Sequence, residues 1–127
     1  MIEIAPMPSH DRQVVQGYVT GGFRVSDKEW WGPIVVFPTR TETWGARSLG
    51  GLTLEAFAPV AAATDPKIEL LIVGTGRKMA LLSSRLRADL RAMGLAVEVM
   101  DTGAACRTYN VLIGEERRVA AALLPLD

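Results

Sequence analysis

The chain holds one cysteine, Cys106, and one histidine, His10, among 127 residues. A lone thiol excludes an internal disulfide and fits a reducing compartment. One Cys and one His together cannot make a four-ligand structural zinc site. Charge of one sign is lacking as well: 14 Lys+Arg balance 14 Asp+Glu. Nothing global therefore draws the protein to nucleic acid or to anionic lipid. The longest apolar runs are far shorter than a membrane span. Residues 1–12 have no basic start followed by an apolar block, so no signal peptide is read there, and a cytoplasmic protein is expected. Aromatic residues amount to 6%, and no aromatics interleave with the basic residues as a single-strand nucleic-acid groove requires.

What is present is 49% hydrophobic sequence, enough for one domain with one core. Residues 1–13 read as a flexible arm, since Pro6, Pro8 and Ser9 discourage regular structure, and residues 14–127 as a single mixed α/β domain. Gln16 to Val25 reads as strand with a bend at Gly21-Gly22. Ser26-Asp27-Lys28-Glu29 is a polar turn. Trp30 to Phe37 reads as the next strand, interrupted at Gly32-Pro33, and residues 39–46 as a further strand or extended loop. Leu52 to Ala63 suggests a short helix interrupted or ended near Pro59.

The second half alternates. Ile68 to Val73 is apolar on both faces apart from Glu69, as in a buried central strand. Leu81 to Met93 carries a helical stripe of Leu82, Leu86, Leu90 and Met93, with Gly94 as its left-handed stop. Leu95 to Met100 reads as strand, residues 102–113 as helix, and Arg118 to Leu124 as a last strand. The order predicts an α/β three-layer domain: a mixed β-sheet with an antiparallel N-terminal part and a β-α-β-α-β C-terminal part. On spacing alone the last strand is expected to run parallel.

The most informative stretch is Ile68 to Lys78, where an apolar strand runs into Gly74-Thr75-Gly76. This resembles the start of a dinucleotide fingerprint, but Met79 stands where the third glycine belongs, and no G-K-[ST] follows. Glycine here permits a sharp turn; alternatively, the turn amides hold a small anion or a partner's carboxylate beside Arg77 and Lys78. If the strands are parallel, Asp101, Thr102 and Gly103 open at the same sheet edge. Gly74, Thr75, Gly76, Arg77, Asp101 and Thr102 are thus the candidate ligand residues. Asp101 also suits a helix N-cap, which would keep it ionised and unfit as a general acid. Cys106 lies one turn into the helix without a nearby base and reads as a small buried residue; a redox role for it is the lesser alternative. Adjacent Trp30 and Trp31 point to opposite faces of a strand, so one of them is a plausible exposed anchor. Arg85, Arg87 and Arg91 mark the polar side of the middle helix, where Arg85 can pair with Asp89; they read as a solvated face or as a dock for an acidic partner.

Val73-Gly74-Thr75-Gly76, Gly94 to Thr102, Ala104 to Leu112 and Glu116 to Leu123, in this order, resemble a family of small α/β domain proteins of mostly unknown function. It includes assembly factor three of mitochondrial respiratory complex I (NADH:ubiquinone oxidoreductase) and an adipogenesis-associated homologue. The resemblance covers residues 14–124. It implies a three-layer domain whose last strand inserts centrally and runs against its neighbours. It offers no established catalytic residues to transfer, and it suggests a non-enzymatic interaction or assembly role with a protein partner; no cofactor and no metal are expected. The alternative is a small anionic ligand or a reaction at the two-turn crevice.

Overall fold

The computed structural model describes residues 2–4 and 12–127. Of the expected arm, positions 1 and 5–11 lie outside the described residues, His10 among them. Ile2–Glu3 forms a two-residue strand, β1, antiparallel to β2 (Val15–Val19). β2 turns at Gly21, φ +84°, into β3 (Gly22–Val25). β3 turns through Ser26 and Asp27, φ 45° and 70°, into β4 (Lys28–Trp31). Two successive left-handed residues match the right-handed twist of a tight hairpin. Gln16 holds that hairpin: its Nε2 donates to Asp27 Oδ1 at 2.9 Å, and Asp27 N donates to its Oε1 at 2.6 Å. The result is a four-stranded antiparallel sheet, β1-β2-β3-β4.

Gly32, φ +83°, and Pro33 then carry the chain to a different sheet. The single interrupted strand expected over Trp30 to Phe37 is therefore two strands in two sheets. The antiparallel N-terminal part divides at this point. β5 (Ile34–Val36) pairs with β6 (Thr41–Thr43) on one side and with β9 (Val119–Leu124) on the other, both antiparallel. Pro59 begins a helix rather than ending one: a 3-10 turn, Leu54–Phe57, leads into α1 (Ala58–Ala61), where proline's missing N–H costs nothing in the first turn. β7 (Leu70–Thr75) runs parallel to β8 (Ala96–Met100) across α2 (Ser84–Ala92). α3 (Thr102–Gly114) returns the chain to β9. Gly94 has φ +88°, the left-handed stop expected after the middle helix.

The five-stranded sheet has the order β6-β5-β9-β7-β8. β9 is parallel to β7, as spacing predicts, and antiparallel to β5, so it runs against one neighbour only. All six of its residues are buried. Alternation along the central strands sorts two cores. Val35, Leu71, Val73, Ala120 and Ala122 face Leu86 and Leu90 of α2, with Phe57 and Trp44. Ile34, Val36, Ile72, Ala121 and Leu123 face Ala105, Cys106 and Tyr109 of α3, with Val15, Tyr18 and Phe23 of the smaller sheet. This is the expected three-layer mixed α/β arrangement, with the smaller sheet sharing a layer with α3.

Candidate functional site

The two glycine-bearing turns do meet at one rim of the sheet, and their backbone groups are largely spent on each other. Thr102, fully buried, sits at the junction. Its hydroxyl accepts from Gly76 N at 2.8 Å and donates to the Leu124 carbonyl at 2.5 Å, and its amide donates to the Gly76 carbonyl at 2.9 Å. One side chain thus joins the ends of β7 and β9 to the start of α3. Gly74 is required for that closeness. A Cβ there would lie 2.9 Å from both Leu123 Cδ2 and Thr102 Oγ1, closer than carbon atoms are found. Gly76 supplies the turn, with φ +97°. Thr75 Oγ1 donates to the Lys78 carbonyl at 2.7 Å, lies 3.2 Å from the Met100 carbonyl, and accepts from Ala80 N at 3.2 Å.

Asp101 is the N-cap of α3, with Oδ1 accepting from Ala104 N at 2.9 Å. An anion at the positive end of a helix stabilises it, and the bond satisfies one orphan N–H. The middle helix starts later than its apolar stripe suggests. Residues 76–83 form a loop, and Ser83 caps α2 by accepting from Leu86 N at 3.1 Å. No helix N-terminus therefore faces the Gly76 turn from α2. Cys106 is fully buried, and burial pushes its thiol up to about 12 from its ordinary 9.0, against a smaller opposing pull from the Arg107 guanidinium. A protonated, enclosed thiol is a packing group. Among the described residues, no three His, Cys, Asp or Glu side chains gather as metal ligands.

Beyond the Gly76 turn the rim opens into a cleft of about 560 Å³. Arg77 and Lys78 line one side, Arg47 and Ser48 another, and the segment Leu124–Asp127 a third. Of the sequence-chosen residues, Thr75, Gly76 and Arg77 line this cleft, while Gly74, Asp101 and Thr102 do not; they hold its edge together. Arg47 was missed by sequence reading because nothing local marks it. It reaches the cleft only through the path of the chain after β6.

The expected interaction residues fall on opposite layers. Trp30 packs against the core around α3, its ring under Lys28 Nζ at 4.4 Å, while its neighbour Trp31 is 66% exposed. One exposed tryptophan of the two matches the alternation of a strand. Trp31 lies over Gly22 of the paired strand, where a Cβ would meet the Trp31 ring at 2.6 Å. Arg85, Arg87 and Arg91 are exposed on α2, across the five-stranded sheet, and Arg85 Nε lies 4.0 Å from Asp89 Oδ2. Trp31 and the three arginines thus lie on two separate surfaces.

Residues 15–124 match the family described as protein of unknown function (DUF498/DUF598), and the chain belongs to that family. It is 35% identical over 112 residues to NADH dehydrogenase (ubiquinone) 1 alpha subcomplex assembly factor 3 of Danio rerio, covering 88% of this chain and 64% of that relative. The chain spans about three-fifths of the length of such curated relatives. A crystal structure from Bordetella parapertussis superposes with a TM-score of 0.82 at 36% identity, covering 93% of this chain and 99% of that one. A solution structure from Bordetella pertussis, described as a Mth938-like domain, gives 0.77 at 31% identity, covering 98% of this chain and 92% of that one. No described helix is long and apolar enough to cross a membrane.

Proposed function

We propose that this chain is a non-enzymatic interaction module of the cytoplasm that assists assembly of respiratory complex I. The observation that carries the reading is the 35% identity to a complex I assembly factor along 88% of the chain. The geometry supports it. Thr102, Gly76 and Asp101, the residues best suited by type to hold a substrate, are bonded into the fold. Side chains suited to protein contact stand outward: Trp31 on the smaller sheet, and Arg85, Arg87 and Arg91 on α2. An exposed tryptophan and arginines are the residue types that dominate binding energy at interfaces.

The test is deletion of the gene in its source cells, followed by native electrophoresis of membranes and NADH:ubiquinone reductase assay. Loss of mature complex I with accumulation of partial assemblies is expected, restored by the wild-type gene. Unchanged complex I content and activity would refute the proposal. Restoration that fails for Trp31→Ala or for the triple charge reversal of Arg85, Arg87 and Arg91 tells which surface carries the contact. Fractionation of tagged protein checks the cytoplasmic address.

A further inference from the structure

We infer that the cleft outside the Gly76 turn binds an acidic peptide segment of a partner protein, through carboxylates held by Arg47, Arg77 and Lys78. This deepens the assembly reading and rests on it for the existence of a partner. Three cationic side chains line one cleft. Among the described residues, neither Arg47 nor Lys78 has an ion-pair partner, so two of the three cations of the cleft are uncommitted. Ser48 precedes the 3-10 turn Leu49–Gly51 without capping it, so its hydroxyl is another uncommitted donor. Arg77 is partly answered by Asp127, and the charges of Arg47 and Lys78 are left for a bound anion to answer.

The cleft already shows what it accepts. Arg77 Nη2 donates to a backbone oxygen of Asp127 at 2.7 Å, and Arg77 Nε lies 3.9 Å from the Asp127 side-chain carboxylate. The guanidinium thus already holds oxygens of an acidic residue, the groups that an acidic peptide would present to it. That tenant is loosely held, since the Asp127 side chain is 97% exposed. The floor suits a peptide too. Leu49, Leu124 and Pro125 line it with apolar surface. Its walls are fixed by bonds made elsewhere: Gly21 N to the Leu126 carbonyl at 2.8 Å, and Trp44 N to the Pro33 carbonyl at 2.9 Å. A preformed site loses little freedom when it is filled.

The experiment measures fluorescence anisotropy of a labelled hexapeptide of alternating leucine and glutamate against its leucine–glutamine counterpart, using the full chain. The acidic peptide is expected to bind about tenfold tighter, and the preference to shrink with salt, as for a few half-exposed ion pairs. The double variant R47E/K78E is expected to lose the preference while keeping its circular dichroism spectrum; Lys78→Gln alone, which removes one surface charge, is expected to weaken it. Asp127→Asn, which removes the internal competitor, is expected to tighten binding. Equal affinity for the two peptides, or an unaltered preference in R47E/K78E, overturns the proposal. So does succinate competing as well as the peptide, which would make the site one for small anions, or binding of phosphatidylglycerol vesicles in place of the peptide. A chain that restores complex I in the deletion strain but ignores the acidic peptide refutes the cleft alone. A deletion without effect refutes the assembly role alone.

Discussion

Helix α3 buries six of its residues against the five-stranded sheet and the smaller sheet beside it, whereas α2 buries only Leu86 and Leu90 and turns Arg85, Arg87 and Arg91 to solvent. The two helices cover opposite faces of one sheet, yet they do different work. α3 is fastened by side chains. Asn110 pairs both backbone groups of Val15, its Nδ2 donating to the carbonyl at 2.7 Å and its Oδ1 accepting from the amide at 2.9 Å. Tyr109 donates its hydroxyl to the Gln13 carbonyl at 2.9 Å. α2 rests on apolar contact and a cap. What separates them is position. α3 meets both sheets and exposes only Arg107, Val111 and Gly114, so the polar groups on its inner side need internal partners, while α2 turns most of its residues to water.

Truncation should expose the contrast most strongly. Tyr109→Ala is expected to cost about 3–5 kcal/mol in urea unfolding, and Leu86→Ala on the other face nearer 2 kcal/mol, because its site is partly open and can collapse. Equal losses would erase the distinction. Next in size, Asn110→Ala should cost about 2 kcal/mol by leaving the Val15 amide and carbonyl unpaired in a half-buried place. Faster hydrogen exchange at Val15 is the accompanying signature.

Alkali probes the same enclosure. The Cys106 thiol is held near 12 in the folded protein against 9.0 ordinarily, and burial likewise raises the Tyr109 phenol. Both pKa values are raised, so the folded state binds more protons than the unfolded state above pH 9. Stability should therefore be complete below about pH 9 and decline as pH rises toward 12. Cys106 should react with iodoacetamide only on unfolding; rapid native alkylation would contradict its enclosure. The caps come next: Ser83→Ala and Asp101→Ala should each cost about 1 kcal/mol. Smallest of all, Arg85→Ala should change stability by no more than about 0.5 kcal/mol, since its pair with Asp89 is exposed and long.

The parts legible in the sequence were those set by near neighbours along the chain. The run from Ile68 to Val73 announced a buried strand because both of its faces were apolar, and Asp101 announced a helix start by its cap chemistry. Loss of alternation at Gly32-Pro33 marked a break, but no local signal said that the two sides join different sheets. The stripe from Leu82 drew the middle helix too early, since Leu82 is buried from a loop and Ser83 is the true cap. The rim was foreseen from parallel pairing of β7 and β8. That Thr102 would consume its amides was not, because the bond joins residues 26 apart in sequence. Arg47 and the clamp of Asn110 on Val15 depend on still longer separations, and residue type alone points to neither.

The position of β9 bears on how the protein is made. Synthesis proceeds from β1 onward, yet residues 119–124 supply the middle of the five-stranded sheet, between β5 and β7. Until that segment leaves the ribosome, β5 and β7 each present a bare hydrogen-bonding edge and an apolar flank, the features that invite pairing with foreign chains. The sheet therefore stays open in its middle until residues 119–124 are made, and this six-residue strand completes it from within.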